Sequence, residues 1–319
     1  MITRRSLAAL ALSATAARAA DWQPPRAVRM VVPYPPGGGA DTTARLFMPP
    51  FSAFLGQNVV VENRPGAGST IGAGEVARAA PDGATLLLDA SGHTVAPFLI
   101  RGLNFDYATA FTPISRVTLI PQILIVRPES PYTSLPQLLA AAQAAPGRIS
   151  YGSSGNASAP HLAGAVLFNR ANVQLTHVPY RGGGPALQSL LAGDLDCLFA
   201  TVSSASALAR EGRVRALAAS SAQRISSLPA VPTVAEQGFA GYDQNEWNGL
   251  WAPAGLPAAA VARLHAACRH ALAEPAVRDR LASAGTTPLG TSPEEFAAFL
   301  AQDRTANAAL IRSAGITLD

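Results

Sequence analysis

Apolar runs of four to six residues alternate with glycine-rich turns that open helices, and this alternation constrains the fold most. Residues 28–32 read as a strand. Pro33-Tyr34-Pro35-Pro36-Gly37-Gly38-Gly39 follows, and Asp41-Thr42-Thr43 introduces a helix over residues 44–55, with Asp or Thr available as its cap. The same unit recurs: strand 58–62, turn Pro65-Gly66-Ala67-Gly68-Ser69, helix 71–79. Further strands are predicted at 85–88, 123–126, 149–151, 175–179, 196–199, 214–219 and 250–253. Further helices are predicted at 135–144, 161–169, 186–192, 258–272, 275–284 and 293–313. Strands alternating with helices imply an α/β fold with a largely parallel sheet.

Three of these turns are alike: 33–39, 152–158 and 180–185. Each is rich in Gly, Ser or Pro and runs into a helix start. Such a start presents N–H groups without intrahelical acceptors and the positive end of a helix dipole. Anions bind there without lysine. In open α/β sheets ligands sit at the carboxyl ends of the strands. Several such turns facing one cleft would form a site for a small anion.

Composition removes other chemistries. All 24 basic residues are arginine, so Schiff-base catalysis and lysine-dependent phosphate loops are excluded. At 319 residues, 49% hydrophobic and 14% charged, the chain has enough material for one large domain or two smaller ones and does not read as disordered. Residues 1–20 combine Arg4 and Arg5, an apolar run and a small-residue site at Ala17-Arg18-Ala19. They read as a signal peptide, with Thr3-Arg4-Arg5-Ser6-Leu7 partly matching a twin-arginine signal, so Sec and twin-arginine export both remain open. This segment carries three of the four net positive charges, which leaves the mature chain nearly neutral and a poor partner for nucleic acid. Cys197 and Cys268 fall in a strand and a helix and read as free thiols. No HExxH or CxxC spacing suggests a metal.

Two motifs reduce to packing or ligand contact. Gly66, Gly68 and Gly72 are spaced one residue too long for a dinucleotide fingerprint, so helix–strand packing is the better reading. Gly152-Ser153-Ser154-Gly155 lacks the GxSxG of a nucleophile elbow and reads as a hydroxyl-rich ligand loop. A serine hydrolase using Ser153 or Ser154 with His161 is the rival enzyme reading. His161 fits a ligand contact and a helix-start residue equally. Trp22, Trp247 and Trp251 read as core.

The chain resembles the Bug-type solute receptors of tripartite tricarboxylate transporters. The resemblance is carried by Val31-Val32-Pro33-Tyr34-Pro35-Pro36-Gly37-Gly38, Glu62-Asn63-Arg64-Pro65-Gly66-Ala67-Gly68 and Tyr151-Gly152-Ser153-Ser154-Gly155-Asn156. It continues in His161-Leu162-Ala163-Gly164, Val178-Pro179-Tyr180-Arg181-Gly182-Gly183, residues 228–236, and Trp247-Asn248-Gly249-Leu250-Trp251-Ala252-Pro253. It implies a two-lobed (type II) periplasmic binding protein, with two α/β lobes joined by crossing strands near 123–126 and 250–253. One lobe would comprise residues 21–122 and 244–319, the other 123–243. The resemblance implies a monomer without cofactor or metal. It would capture a small di- or tricarboxylate, amino acid or aromatic carboxylate and pass it to membrane components of the transporter. A solute sensor of the same fold is the second alternative.

The site implied comprises Tyr34, Pro36, Gly37, Gly38, Asp41 and Ser91 from one lobe. The other lobe supplies Ser153, Ser154, Gly155, Asn156, His161, Arg181, Gly182, Gly183 and Thr201. Three positions depart from the family pattern: Ser189 and Thr201 stand where Asp is usual, and Ala157 where Gly is usual.

Overall fold

The structure of the chain is a computed structural model that describes residues 22–156 and 158–314. The expected signal peptide and Ala157 lie outside the described residues. The first half is built from three β–α units: β1 (Val28–Val32) and α1 (Gly39–Leu55), β2 (Val59–Asn63) and α2 (Thr70–Ala77), β3 (Thr85–Ala90) and α3 (Gly92–Leu99). The strand β4 (Phe111–Val126) and the helix α4 (Leu135–Ala144) follow. Three more units come next: β5 (Ser150–Ser153) and α5 (Ala159–Arg170), β6 (Thr176–Pro179) and α6 (Gly183–Ala192), β7 (Cys197–Thr201) and α7 (Val202–Arg210). The chain closes with β8 (Arg215–Ala219), β9 (Asn245–Pro253), α8 (Ala258–Ala273), α9 (Pro275–Ser283), β10 (Thr287–Pro288) and α10 (Pro293–Ala314).

The strand order is β2-β1-β3-β9-β4-β7-β5-β6, with β10 and β8 also paired to β4. β1, β2 and β3 run parallel to one another, and so do β5, β6 and β7. β1 and β3 are almost wholly buried, as parallel strands covered on both faces must be. β4 joins the two arrays. Its residues Phe111 to Pro121 pair antiparallel with β9, and from Gln122 onward it pairs with β7 and β8.

Three sequence expectations change. β4 extends twelve residues N-terminal to the predicted 123–126, and Pro113 sits within it where the register shifts against β9. Such an irregularity is how a strand accommodates a residue without an N–H. α3 and α7 were not predicted. The return crossing does not lie at 250–253, since that stretch of β9 pairs with β3 and the first part of β4. The chain comes back just before β9, where the Gln244 N–H donates to the Ser220 carbonyl at 2.9 Å.

The core falls into clusters on either side of the β4 junction. Trp247 and Trp251 are buried, with Trp251 stacked on His93 at 4.1 Å, and Trp22 packs at the core edge. Cys197 and Cys268 are buried free thiols. Gly72 lets α2 approach closely: a Cβ there would stand 2.8 Å from the Arg64 carbonyl and 2.9 Å from Pro33. Gly249 does the same for the aromatic cluster. A methyl there would meet the Phe296 ring and come within 2.6 Å of Trp251. Both are large buried rings with little room to turn. Gly249→Ala should therefore destabilise the fold by about 1–3 kcal/mol through overpacking. Urea unfolding should show a lower midpoint at unchanged slope; a wild-type midpoint would mean that the rings repack freely.

Candidate functional site

The six β–α turns all line one cleft of about 1160 Å³. This follows from topology, because each parallel array delivers the carboxyl ends of its three strands to the same side. One half contributes the turn at Pro33–Gly39, the turn at Pro65–Ser69, and Ser91 with Gly92. The other contributes Ser154 and Asn156, then Arg181–Pro185, then Thr201 with Ser203 and Ser204. Each of these six strand ends leads into a helix, so the first turns of six helices border a common space.

The first loop is held from beneath. Asp41 is buried, and its carboxylate accepts the Gly37 N–H at 2.9 Å, Asn63 Nδ2 at 2.9 Å and Arg45 Nε at 3.0 Å. Asn63 also donates to the Tyr34 carbonyl. Burial pushes the Asp41 pKa up, but Arg45, the Gly37 N–H and Asn63 together hold it below the usual carboxylate value. The expectation that the Asp41 or Thr42 side chain caps α1 is corrected: the cap position is Gly38, which makes no side-chain cap bond. Asp41 instead fixes the loop before the helix.

Tyr34 lines the cleft and donates its hydroxyl to Asp89 at 2.8 Å. Asp89 is fully buried and also bonds its own neighbour's N–H, at Ala90, and contacts His93 Nδ1 at 3.1 Å. Burial, and then Asp89, hold the Tyr34 phenol well above its ordinary value, so it remains a proton donor.

The second loop is braced in the same way. Ser153 is fully buried; its Oγ lies 2.7 Å from His177 Nε2 and accepts the Gly155 N–H at 3.2 Å. Ser158 donates to the Gly155 carbonyl and caps α5 at the His161 N–H. The Ser154 carbonyl accepts the Gly182 N–H at 3.2 Å, which ties the second loop to the third. His161 stacks flat on His177 with ring centroids 3.9 Å apart. Burial lowers both imidazoles to about 4, with mutual repulsion adding to the effect at His161.

Of the residues named from sequence, Tyr34, Pro36, Gly37, Gly38, Ser91, Ser154, Asn156, Arg181, Gly182, Gly183 and Thr201 line the cleft. Asp41, Ser153, Gly155 and His161 stand behind it as supports. Ser189 lies away from it, bonded to the Tyr180 hydroxyl at 2.6 Å, while the Thr201 hydroxyl pairs with Ser204 at 2.8 Å. Sequence reasoning missed Ser69, Ser203, Ser204 and Glu246, which line it too. Among the described lining residues Arg181 is the one cation and Glu246 the one acid. Groups of acids, His and Cys arranged to hold a metal ion are absent among the described residues. No helix among them is long and apolar enough to cross a membrane.

The sequence matches the family described as "Tripartite tricarboxylate transporter family receptor" over residues 43–316. It is 40% identical over 299 residues to the UPF0065 protein in the tcbD-tcbE intergenic region of Pseudomonas sp. (strain P51), covering 92% of this chain and 89% of that one. It is 33% identical to Protein BugT of Bordetella pertussis, covering 94% and 92%. Among solved structures it resembles the periplasmic binding protein BugD, with a TM-score of 0.83, 34% identity and coverage of 92% and 99%. It also resembles Rpa4515 of R. palustris with adipate, with a TM-score of 0.85, 32% identity and coverage of 93% and 99%. A third is MatC from Rhodopseudomonas palustris with bound malate, with a TM-score of 0.81, 33% identity and coverage of 90% and 99%.

The stacked histidines make the support of the second loop sensitive to acid. Their folded values of about 4 lie below the ordinary 6.5, so the folded state requires neutral rings. The stability they contribute is complete above pH 6.5 and is lost as pH falls toward 4. Urea titrations across this window should show that loss, with a shallower slope in His161→Phe. An identical slope in the variant would show that the pair does not control it.

Proposed function

The chain belongs to the tripartite tricarboxylate transporter receptor family as a Bug-type, two-lobed periplasmic binding protein, and on that premise we propose that it captures a small carboxylate in the cleft. The observation that carries this reading is the convergence of six helix starts on one space with a single cation among the described lining residues. Preorganised N–H groups and hydroxyls stabilise a carboxylate without the desolvation penalty of a fully buried ion pair. The solute's carboxylate sits against Gly37–Gly39, and Ser154 and Asn156 meet it from the other half. Arg181 meets its distal end. The similar structures with adipate and with bound malate support a linear dicarboxylate, and an amino acid or aromatic carboxylate has the same first group. The same premise supports export through the signal peptide at residues 1–20 and delivery of the solute to the membrane components of a tripartite transporter.

Two lobes, residues 21–122 with 244–319 and residues 123–243, close on the solute about the two crossings. The role is capture without turnover. Ser153 is fully buried and, although bonded to His177, is not among the residues that line the cleft, and burial lowers both imidazoles to about 4, which makes them weak bases.

A thermal-shift screen of succinate, malate, adipate, aspartate, benzoate and nicotinate tests the reading. A solute at 100 times its Kd stabilises the folded state by about 2.7 kcal/mol. No shift with any carboxylate would count against it. Calorimetry then assigns the loops. Gly38 has φ −74°, and a Cβ there meets only the Pro35 carbonyl at 3.5 Å, so Gly38→Leu should fold normally. It should abolish binding by filling the carboxylate's space. Arg181→Ala should weaken binding by roughly 1–3 kcal/mol. Normal affinity in Gly38→Leu with complete loss in Arg181→Ala would place the anchor on the third loop instead.

A further inference from the structure

Among the described residues lining the proposed anion cleft there is one acid, and its position is specific. Glu246 lies on β9 opposite Ile120 of β4, beside the point where β4 leaves one array for the other. Its Oε1 stands 3.7 Å from where a Cβ would be on Gly39, the first residue of α1. The carboxyl therefore borders the turn against which the solute's carboxylate is placed. No cation lies within ion-pairing distance of it among the described residues. The groups around it are Gln122 and Ile120 from β4, Gly39 from α1 and the Tyr34 phenol from the first loop. Arg181 lines the cleft from the opposite half. Asp243, just before β9, is occupied by the Ala222 N–H and by Asn245.

Two carboxylates cannot share such a space cheaply. When like charges are brought together away from water, one of them keeps its proton. We propose that Glu246 is a specificity-determining residue that, in its neutral form, donates its O–H to a solute carboxylate oxygen held at the α1 turn. This rests on the reading of the cleft as a carboxylate site and names the group that matches the solute's second oxygen. Burial already raises the Glu246 carboxyl to about 7, with Gln122 acting against it, so the neutral form is within reach before the solute arrives. A bound anion raises it further. Binding above pH 7 then takes up a proton, and affinity falls as pH rises, by up to about tenfold per pH unit. A solute presenting an ammonium group to the same position would have the opposite linkage, because it would favour the ionised carboxyl and release a proton.

The test is calorimetry with the tightest binder of the six-solute panel, from about pH 6 to about pH 9, in two buffers of different ionisation enthalpy. The wild-type protein should take up as much as one proton per solute, and its affinity should drop across the range. Glu246→Gln keeps a donor of the same shape. It should bind with similar affinity at the acid end, about tenfold or more tighter than wild type at the alkaline end, and without proton uptake. Thermal melts of the variant verify that it folds. A pH-independent wild-type affinity without proton uptake overturns the proposal, and so does proton release on binding. Loss of affinity in Glu246→Gln at every pH also overturns it. Failure of every panel member to bind would count instead against the carboxylate reading itself.

Discussion

The structure depends on one strand that belongs to two sheets. β4 pairs with β9 through its first part, where β10 joins its other edge at Thr118 and Leu119, and with β7 and β8 on its two edges in its second part. A central strand of this kind cannot slip in register without exposing a buried face. The two arrays are thereby fixed relative to the change of partner at Pro121 and Gln122. The second connection is anchored at the same place. Ser220, fully buried just past β8, accepts the Gln122 N–H on its hydroxyl at 2.8 Å and the Gln244 N–H on its carbonyl at 2.9 Å. Both connections between the arrays are thus tied to one residue.

Because the crossings are adjacent, the carboxyl ends of both parallel arrays face each other. That is the physical origin of the cleft, and it explains why loops far apart in sequence share one wall. The Ser154 carbonyl and the Gly182 N–H meet because β5 and β6 are parallel neighbours. Glu246 meets Gly39 because β9 lies next to β3, two strands from the start of the chain's first turn.

What could be read from sequence follows from this architecture. β1 with its turn, and β5 and β6 with theirs, carry local signals: a short apolar run, then Gly, Ser or Pro, then a helix. Those signals locate most of the cleft wall. α7 has no such introduction, since Thr201 ends β7 and Val202 begins the helix. α3 is disguised by Gly92 and Pro97. The first part of β4 is disguised by Pro113, which sits at a register shift, and by Pro121, which ends the pairing with β9. Supports and contacts are also indistinguishable in a sequence. Ser153 and Ser154 are neighbours of one type, yet strand alternation turns the first into the core and leaves the second at the cleft. Glu246 had no readable signal, because its significance arises from β4 and Gly39 being folded against it.

The supports matter because a site made of backbone N–H groups is only as good as its rigidity. A loop that had to order itself around a solute would lose affinity to the conformational entropy of ordering. Here three of the glycine-rich turns are already bonded to something fixed. Gly37 is held by Asp41, Gly155 by Ser153 and Ser158, and Gly182 by the Ser154 carbonyl. Tyr34 is held by Asp89, which is in turn held beside His93 and the stacked Trp251. The carboxyls in these supports, Asp41 and Asp89, are not among the residues that line the cleft and are bonded to the donors that surround them. The space the solute enters is therefore lined mostly by neutral groups in fixed positions. In such a setting, a change in the charge of Glu246, the one acid among the described lining residues, alters the potential of the cleft more than it would among many compensating charges.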